Sequence, residues 1–300
     1  MVAARNEWEA AQIVVRHTSS FTIQSVTSTN LTSGGNTLAA SGNFRKHYVE
    51  YFFSNKNSGG DGWCDVTMED PVRFAPADFP EQLSNNPTIA VPANTTQPIW
   101  VKYQIQTGQA IGTYSGTITV TTNLGAFAVP VSIEVNEVTL PDPGDSEFSN
   151  EWWIYPHSIT VPFPGLTELS APWWAMVDKI VQIARECRIN TIHGRIIFFW
   201  NKTDDFTEYD NYIQRYIDAG TFKRAASETM NANSVTWAPR IRTHFIAKGW
   251  WDKFIYRILD EPPDVNAYVT LSNQVRAVAS GIKIGDPGVN NPTGYGTSVD

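Results

Sequence analysis

Two adjacent carboxylates, Asp260 and Glu261, are the residues of this sequence best suited to acid–base chemistry. They follow an apolar run of β-branched and aromatic residues (254–259), and Pro262 and Pro263 come directly after them. The run predicts a buried strand, and the prolines end it because they cannot donate to a ladder. Two close carboxylates push one pKa upward, as a general acid near neutral pH requires. A helix-capping turn is the competing interpretation of an Asp-Glu pair before proline.

The neighbouring segments indicate how this pair is positioned. Residues 237–248 predict a helix after a break at Pro239, and Gly249 is a typical helix stop. Residues 265–279 predict a second helix with Asp264 as its N-cap. Neighbours on a regular strand point to opposite faces, so both acids can meet one substrate only because the strand ends here. A strand that ends in acids and leads into a helix is a βα unit with its chemistry at the carboxyl end, where barrel enzymes keep their active sites.

The second half of the chain alternates strands and helices. Strands are predicted at residues 152–155, 190–200, 254–259 and 282–284, and helices at 173–187, 209–219, 237–248 and 265–279. This order predicts a parallel sheet, open or closed into a barrel. A complete eight-unit barrel takes roughly 250 residues, and only half of this chain is left for it. The alternatives are a fragment of a longer chain, which we favour, and a partial barrel.

The first half of the chain, residues 1–140, predicts an all-β domain. Apolar and polar residues alternate at 21–26, 100–105 and 127–135, with glycine-rich turns between such segments. Residues 112–116 (GTYSG) predict a turn before a strand at 117–121, similar to the closing hairpin of immunoglobulin-like modules. Residues 141–149 predict a linker rich in proline and glycine. The expected organisation is a β-sandwich at 1–140, this linker, and a partial (β/α) barrel at 150–300.

Composition excludes several classes of partner. The net charge of −8 and the scattered basic residues argue against nucleic acid and anionic membrane surfaces. No apolar stretch is long enough to span a bilayer. Cys64 and Cys187 are assigned to different domains, so two free buried thiols are favoured over a disulfide. The five histidines have no ligand spacing, and no phosphate-binding loop accompanies a strand, so neither a metal nor a cofactor is expected.

Several segments together resemble glycoside hydrolase family 123. These are RNEWEAAQ at residues 5–12, WIYPH at 153–157, the Trp173-Trp174 pair with its helix, NTI at 190–192, and KGWWDK at 248–253 followed by a strand and DEP at 260–262. The resemblance implies a sandwich followed by a TIM-type barrel. It also implies retaining, substrate-assisted hydrolysis of β-linked N-acetylhexosaminides, N-acetylgalactosaminides in particular. The sequence departs from the family pattern in lacking the later barrel strands and in a shortened segment at 201–236.

The resemblance also implies roles for individual residues. In such a route the 2-acetamido oxygen of the sugar attacks the anomeric carbon, so no carboxylate nucleophile is needed. Asp260 would orient the acetamido N–H, and Glu261 would protonate the leaving oxygen. The substrate-contact candidates, taken from their positions on or near predicted strand ends or from their aromatic type, are Tyr155, His157, His193, Arg195, Trp200 and Trp237. The competing interpretations are an ion pair or a solvated edge for His193 and Arg195, and a core position for the tryptophans.

Three functions stay open from the sequence alone. The first is the β-N-acetylgalactosaminidase-like glycosidase, acting on an oligosaccharide or glycan. The second is a non-catalytic carbohydrate-binding or structural protein on the same scaffold, and the third is a glycosidase for another sugar. The family resemblance implies an extracellular or periplasmic protein, although no signal peptide is recognisable at Met1.

Overall fold

A computed structural model of the chain describes residues 1–55, 74–152, 156–194, 205–227, 233–259 and 265–285. The chain divides into two compact units, Met1–Leu140 and Pro141–Asp300. In its described part the first unit is built of β-strands, whereas the second combines a parallel sheet with α-helices. No helix within the described ranges is long and apolar enough to cross a membrane.

The strands of the first unit form two sheets. They are β1 (Val2–Arg5), β2 (Glu7–Arg16), β3 (Phe21–Ser28), β4 (Leu31–Ser33), β5 (Asn36–Leu38), β6 (Phe44–Ser54), β7 (Ala77–Ser84), β8 (Ile89–Val91), β9 (Thr96–Ile105), β10 (Gly112–Thr122) and β11 (Gly125–Thr139). One sheet has the order β1-β11-β10-β3-β8, with β4 and β5 attached beside β10, and the other has the order β2-β9-β6-β7. Strand β1 runs parallel to β11, and the other ladders are antiparallel.

The two sheets share one hydrophobic core. Strand β9 alternates along its whole length, and its inward residues Ile99, Val101 and Tyr103 are fully buried. They belong to the same apolar cluster as Ile23 and Val120 of the other sheet. The period-two pattern therefore buries one face of each sheet, and the all-β prediction for this half is confirmed for the described residues.

Asn6 carries the chain from one sheet to the other. It lies between β1 and β2 with φ of 65°, a left-handed conformation that asparagine tolerates better than most residues. Its backbone N–H donates to Ile105 O at 2.8 Å, and its side-chain amide donates to Leu140 O at 3.0 Å. The first and last strands of the unit are thus fastened at this residue.

The turn predicted at residues 112–116 is wrong, whereas the strand predicted at 117–121 is confirmed. These residues belong to β10, which pairs with β11 from Gly112↔Val135 to Thr122↔Gly125, and the turn follows at Asn123 and Leu124. Gly116 is needed for packing, because a Cβ there would lie 2.5 Å from Leu31 Cδ2. Gly112 and Gly116, which the sequence predicts as turn formers, thus lie within a paired strand.

The second unit alternates strands and helices in chain order. Its elements are β12 (Glu151–Trp152), α1 (Ala171–Glu186), β13 (Thr191–Gly194), α2 (Thr207–Asp218), β14 (Arg224–Ser227), α3 (Ser234–Ala247), β15 (Phe254–Arg257), α4 (Val265–Val278) and β16 (Lys283–Gly285). The sheet order is β12-β13-β14-β15-β16, with every pair of neighbours parallel. The predicted parallel sheet is confirmed for the described residues.

One face of this sheet packs against the helices. Ile192, Ala225 and Phe254 of three neighbouring strands are buried in a cluster that also holds Val177 of α1 and Phe245 of α3. Helices α2 and α3 are each followed by a glycine with positive φ, Gly220 at 66° and Gly249 at 71°, which turns the chain back toward the next strand. The predicted stop at Gly249 is confirmed.

Two elements differ from the sequence-based prediction. Strand β14 is a four-residue segment, RAAS, with little strand propensity, and its pairing with β13 and β15 on both sides determines its conformation. Helix α3 begins at Ser234 and continues through Pro239, so the expected break at that proline is wrong. Proline fits a helical φ, and the tertiary packing of α3 compensates for the one backbone bond it cannot donate.

The segment at 141–149, predicted as a linker, is hydrogen-bonded to the rest of the second unit. Buried Asn190 donates from its side-chain amide to Pro143 O at 2.8 Å and to Phe148 O at 2.7 Å. Gly144 approaches the backbone of Gly220 and Phe222 so closely that a Cβ would lie 3.1 and 3.2 Å from their carbonyl oxygens. This segment is therefore part of the folded unit.

Cys187, which follows α1, is exposed and not in a disulfide. The expectation of a buried thiol is therefore wrong at this position, because the helix ends at the surface. Cys64 lies outside the described residues.

Candidate functional site

The acid pair follows β15 at the carboxyl edge of the parallel sheet. Strand β15 ends at Arg257, Ile258 and Leu259 continue the chain, and Asp260 and Glu261 come next. Both acids lie outside the described residues, as do the candidates Tyr155, Arg195 and Trp200. Among the described residues, those that come just before the acid pair therefore define the site.

The other three candidates lie in or near the described elements. His157 is in a short 3-10 turn after β12, and His193 is the third residue of β13, paired with Ala226 of β14; their side chains are not among those described. Trp237 lies in the first turns of α3 and is only 5% exposed. The guanidinium of Arg240 lies over its ring at 5.0 Å.

The end of β15 is held by a buried serine of the neighbouring strand. The hydroxyl of Ser227, the last residue of β14, accepts a hydrogen bond from the Arg257 backbone N–H at 2.8 Å. The backbone ladder between β14 and β15 is registered at Phe254 and Ile255, so this bond extends the pairing two residues further toward the acids. Ser227 is fully buried, which protects the bond from competing water.

A second buried serine holds the next residue. The Ser234 hydroxyl at the start of α3 donates to Ile258 O at 3.1 Å. In return, the hydroxyl of Tyr256 on β15 donates to Ser234 O at 2.8 Å. Tyr256 is fully enclosed, and this burial raises the pKa of its hydroxyl, which stays protonated and acts as a donor. Two serines and a tyrosine thus fix the backbone that leads to Asp260.

Arg257 carries a buried charge at the end of the same strand. Its guanidinium Nη2 donates to Glu151 Oε2 on β12, and the two side chains are 11% and 21% exposed. Burial raises the pKa of the Glu151 carboxyl, and the positive charge of Arg257 opposes that rise. An ion pair therefore lies at the carboxyl end of the strand that leads to the acid pair.

The position of this pair shows that the sheet is curled. Strand β12 is three strands away from β15, or about 14 Å on a flat sheet, where side chains stand roughly perpendicular to the plane. The two charged groups meet because the sheet curls toward the face that carries them. Glu151 pairs with Thr191, which pairs with Arg224. Ala226 lies two residues beyond Arg224 on the same face and pairs with Ile255, and Arg257 lies two residues beyond Ile255. Glu151 and Arg257 are therefore on the same face, opposite to the helices.

Five residues of this site were not among the sequence-based candidates: Glu151, Ser227, Ser234, Tyr256 and Arg257. One of them had a signal in the sequence. An arginine in an otherwise apolar predicted strand requires a buried partner, since an unpaired buried charge is costly. The partner could not be identified, because Glu151 lies 106 residues earlier in the chain. The two serines had no distinguishing signal.

A groove elsewhere in the second unit lies at the other end of the strands. Within the described ranges, no group of three His, Cys, Asp or Glu residues could hold a metal ion. A groove of about 440 Å³ in the second unit is lined by Asp145, Phe222, Trp250 and Lys253, among others. These residues precede β14 and β15, so the groove is at the amino end of the strands, away from the acid pair.

Comparisons with known proteins place both halves of the chain in one family. The family model described as the glycoside hydrolase 123 N-terminal domain matches residues 1–122. The model described as the glycoside hydrolase 123 catalytic domain matches residues 172–292, a span that includes Asp260 and Glu261. A comparison with curated proteins returned no match.

One solved structure shows a similar fold. A family 123 glycoside hydrolase from Clostridium perfringens, studied for glycolipid glycan hydrolysis, aligns with a TM-score of 0.73 at 16% identity. The alignment covers 95% of this chain and 58% of that protein, so the chain spans a little over half of its length. A family 2 glycosyl hydrolase from Bacteroides cellulosilyticus (8% identity, 98% and 36% coverage) has a TM-score of 0.26. The GspB Siglec domain (11% identity, 63% and 72% coverage) has a TM-score of 0.22, and neither of these two carries weight. The two family models, which between them match most of the chain, identify it as a member of glycoside hydrolase family 123.

Proposed function

We propose that this protein is a retaining glycosidase that hydrolyses β-linked N-acetylhexosaminides by substrate-assisted catalysis, with Asp260 and Glu261 as its catalytic residues. The observation that carries the proposal is the position of the acid pair. It follows β15 at the carboxyl edge of a parallel sheet, within the span matched by the family's catalytic domain. Active sites of barrel enzymes are built at this edge.

The architecture that we propose for the second unit is part of a TIM-type barrel. Its five described strands are neighbours in chain order, each pair is parallel, and helices follow the strands. The contact between Glu151 and Arg257 supports closure, because it requires the sheet to curl. For the first unit we propose an immunoglobulin-like sandwich, supported by two sheets around one core.

The proposed reaction has two steps. The acetamido carbonyl oxygen of the substrate attacks the anomeric carbon, while Asp260 holds the acetamido N–H and Glu261 gives its proton to the leaving oxygen. The bond to the aglycone breaks, and a bicyclic oxazolinium ion forms. Glu261, now a carboxylate, then takes a proton from a water that attacks the anomeric carbon from the side the aglycone left. The bond from that carbon to the acetamido oxygen breaks, which opens the ring and restores the acetamido group. Two displacements at one carbon give net retention.

The buried serines support this assignment of roles. Substrate-assisted catalysis needs two carboxylates held at fixed positions around one sugar, because misplacement by about 1 Å can cost roughly 10²-fold in rate. Ser227 and Ser234 hold Arg257 and Ile258, the residues just before the acids. Tyr155, His157, His193, Arg195, Trp200 and Trp237 are the proposed substrate contacts. Trp237, which is buried, would reach a sugar only where the loops next to α3 open toward it.

We propose a glycan that ends in β-linked N-acetylgalactosamine as the substrate. The structural relative from Clostridium perfringens was studied for glycolipid glycan hydrolysis, so the released sugar chain of a glycolipid is a natural first test. Such a substrate also fits the proposal of an extracellular or periplasmic enzyme, since glycolipid headgroups lie outside the cell.

The decisive experiment varies the leaving group. The protein is assayed with p-nitrophenyl β-N-acetylgalactosaminide, whose aglycone leaves with little protonation, and with a β-N-acetylgalactosaminyl disaccharide, whose aglycone needs it. We expect Glu261→Gln to lose far more activity on the disaccharide than on the aryl glycoside. We expect Asp260→Asn to lose activity on both, because the acetamido group is then no longer oriented. Equal losses in the two variants on both substrates would contradict the assignment of roles.

Three further measurements address the sugar, the non-catalytic alternative and the mechanism. Activity on β-N-acetylglucosaminides that exceeds activity on the galacto series would change the sugar and leave the mechanism in place. No hydrolysis of either sugar, together with glycan binding measured by calorimetry, would favour the non-catalytic carbohydrate-binding scaffold. Inhibition by a thiazoline analogue of the bicyclic intermediate is the expected result for the substrate-assisted route.

A further inference from the structure

The ion pair between Glu151 and Arg257 lies at the end of β15, close in the chain to the two acids. Arg257 is the last residue of β15 and precedes Asp260 by three residues, so its Cα lies within about 10 Å of that of Asp260 along the chain. Glu151 belongs to β12, the first strand of the sheet. The pair thus joins the strand that leads to the acids to a strand 106 residues earlier.

Backbone pairing and side chains together fix β15. Near its start, Phe254 and Ile255 pair with β14 through the backbone, and the ring of Phe254 packs against Phe245 at 4.2 Å. At its end, Tyr256 and Arg257 pair with β16 through the backbone, and on the other side two side chains take over from β14: Ser227 binds the Arg257 N–H, and Glu151 binds the guanidinium. Of these, the ion pair alone reaches across the curled face of the sheet.

We propose that Glu151 and Arg257 form a positioning pair that holds the carboxyl end of β15, from which the chain continues to Asp260 and Glu261, toward β12 on the face of the sheet opposite to the helices. The inference rests on the proposed function of the acid pair. Both residues are positioning residues, because they act on the reaction through the acids that follow them in the chain.

An ion pair that only stabilises the fold would have the same effect on activity wherever it lies in the unit. A second ion pair, away from β15, provides the comparison. Arg215 of α2 lies 3.3 Å from Asp178 of α1, and its guanidinium also lies over the ring of Trp174 at 4.4 Å. This contact joins two helices on the outside of the sheet. Arg215→Met is therefore a matched control that removes an arginine and an ion pair without touching β15.

The test measures kcat and KM separately for wild type, Arg257→Met, Arg257→Lys, Glu151→Gln, the double variant Glu151→Gln/Arg257→Met, and Arg215→Met. All are assayed at a temperature where each variant is folded by circular dichroism. We expect Arg257→Met and Glu151→Gln to lower kcat at least tenfold with KM changed less than threefold. Arg257→Lys should recover part of the loss, and Arg215→Met should retain wild-type kcat. The double variant should be no worse than the poorer single variant, because the two residues act as a unit.

The possible failures are distinguishable. Wild-type protein that hydrolyses neither sugar overturns the proposed function and this inference with it. An active wild type whose kcat survives in Arg257→Met overturns the positioning role alone. A rise in KM for Glu151→Gln at unchanged kcat also overturns it, and would assign Glu151 to the substrate instead. An equal fall in kcat for Arg215→Met would reduce the pair to general stability.

Discussion

Replacing Arg257 by methionine is the sharpest test of the electrostatics at the end of β15. The substitution keeps most of the aliphatic stem and removes the charge that faces Glu151. Removing one partner of a buried ion pair typically costs about 3 to 5 kcal/mol, because the other charge remains buried without compensation. Here the two side chains are still 11% and 21% exposed. We therefore expect a loss of unfolding free energy at the lower end of this range, about 3 kcal/mol at pH 8.

The destabilisation of Arg257→Met should depend on pH. Burial raises the pKa of the Glu151 carboxyl in the folded protein, and loss of the arginine removes the charge that opposes the rise. A carboxyl whose folded pKa lies above its unfolded value contributes stability that is present below the unfolded pKa and is lost as pH rises through the folded pKa. The free-energy deficit of the variant should therefore be smaller at pH 5 than at pH 8.

Urea unfolding followed by tryptophan fluorescence measures this deficit. Of the 11 tryptophans, those at 8, 63 and 100 precede residue 140, so the signal reports mainly on the second unit. A loss of about 3 kcal/mol lowers the urea midpoint by about 1.5 M for a slope near 2 kcal/mol/M. The double variant Glu151→Gln/Arg257→Met, which buries no charge, should recover part of the loss. A deficit below about 1 kcal/mol, or one that grows toward acid pH, would refute this account of the pair.

Three further predictions concern one hydrogen bond, one close backbone approach and one exposed thiol. Ser234→Ala removes the bond to Ile258 O, and we expect a loss of about 1 to 2 kcal/mol in urea unfolding together with a lower kcat; unchanged values would show that this corner is held without it. Gly144→Ala places a Cβ 3.1 Å from Gly220 O, and we expect about 1 to 2 kcal/mol of destabilisation; a neutral effect would mean that the segment at 141–149 can move away from the unit. Exposed Cys187 should react with a thiol reagent in the native protein, and Cys187→Ser should remove that one equivalent, whereas equal labelling of both proteins would contradict its exposure.

The sequence predicted the elements whose signals are local. Alternation in residues 100–105 matches β9, and the helical spacing after residue 173 matches α1. Strand β14 could not be found in this way, because RAAS becomes a strand only through its neighbours on both sides. The glycines of β10 were misassigned for a related reason. Gly116 is there to accommodate Leu31, a contact that involves residues 85 positions apart and leaves no periodic signal.

The same distinction applies to the candidate site. The acid pair stays a prediction, and its signal is local, since a strand, two carboxylates and two prolines stand next to one another in the sequence. The groups that hold Arg257 and Ile258 come from β12, β14 and α3, and each was invisible without the fold. Ser227 and Ser234 are ordinary serines in the sequence, and their burial beside β15 lets them fix the residues at its end.

The long sequence separation within the ion pair also sets an order of events during synthesis. Arg257 is added 106 residues after Glu151, which at roughly 5 to 20 residues per second takes about 5 to 20 s. Until then the Glu151 carboxylate has no Arg257 to pair with, although β13 and β14 have already been made. The contact can form only after four of the five described strands have been synthesised. On the ribosome, this is the earliest point at which the curled sheet can bring its two charged side chains together.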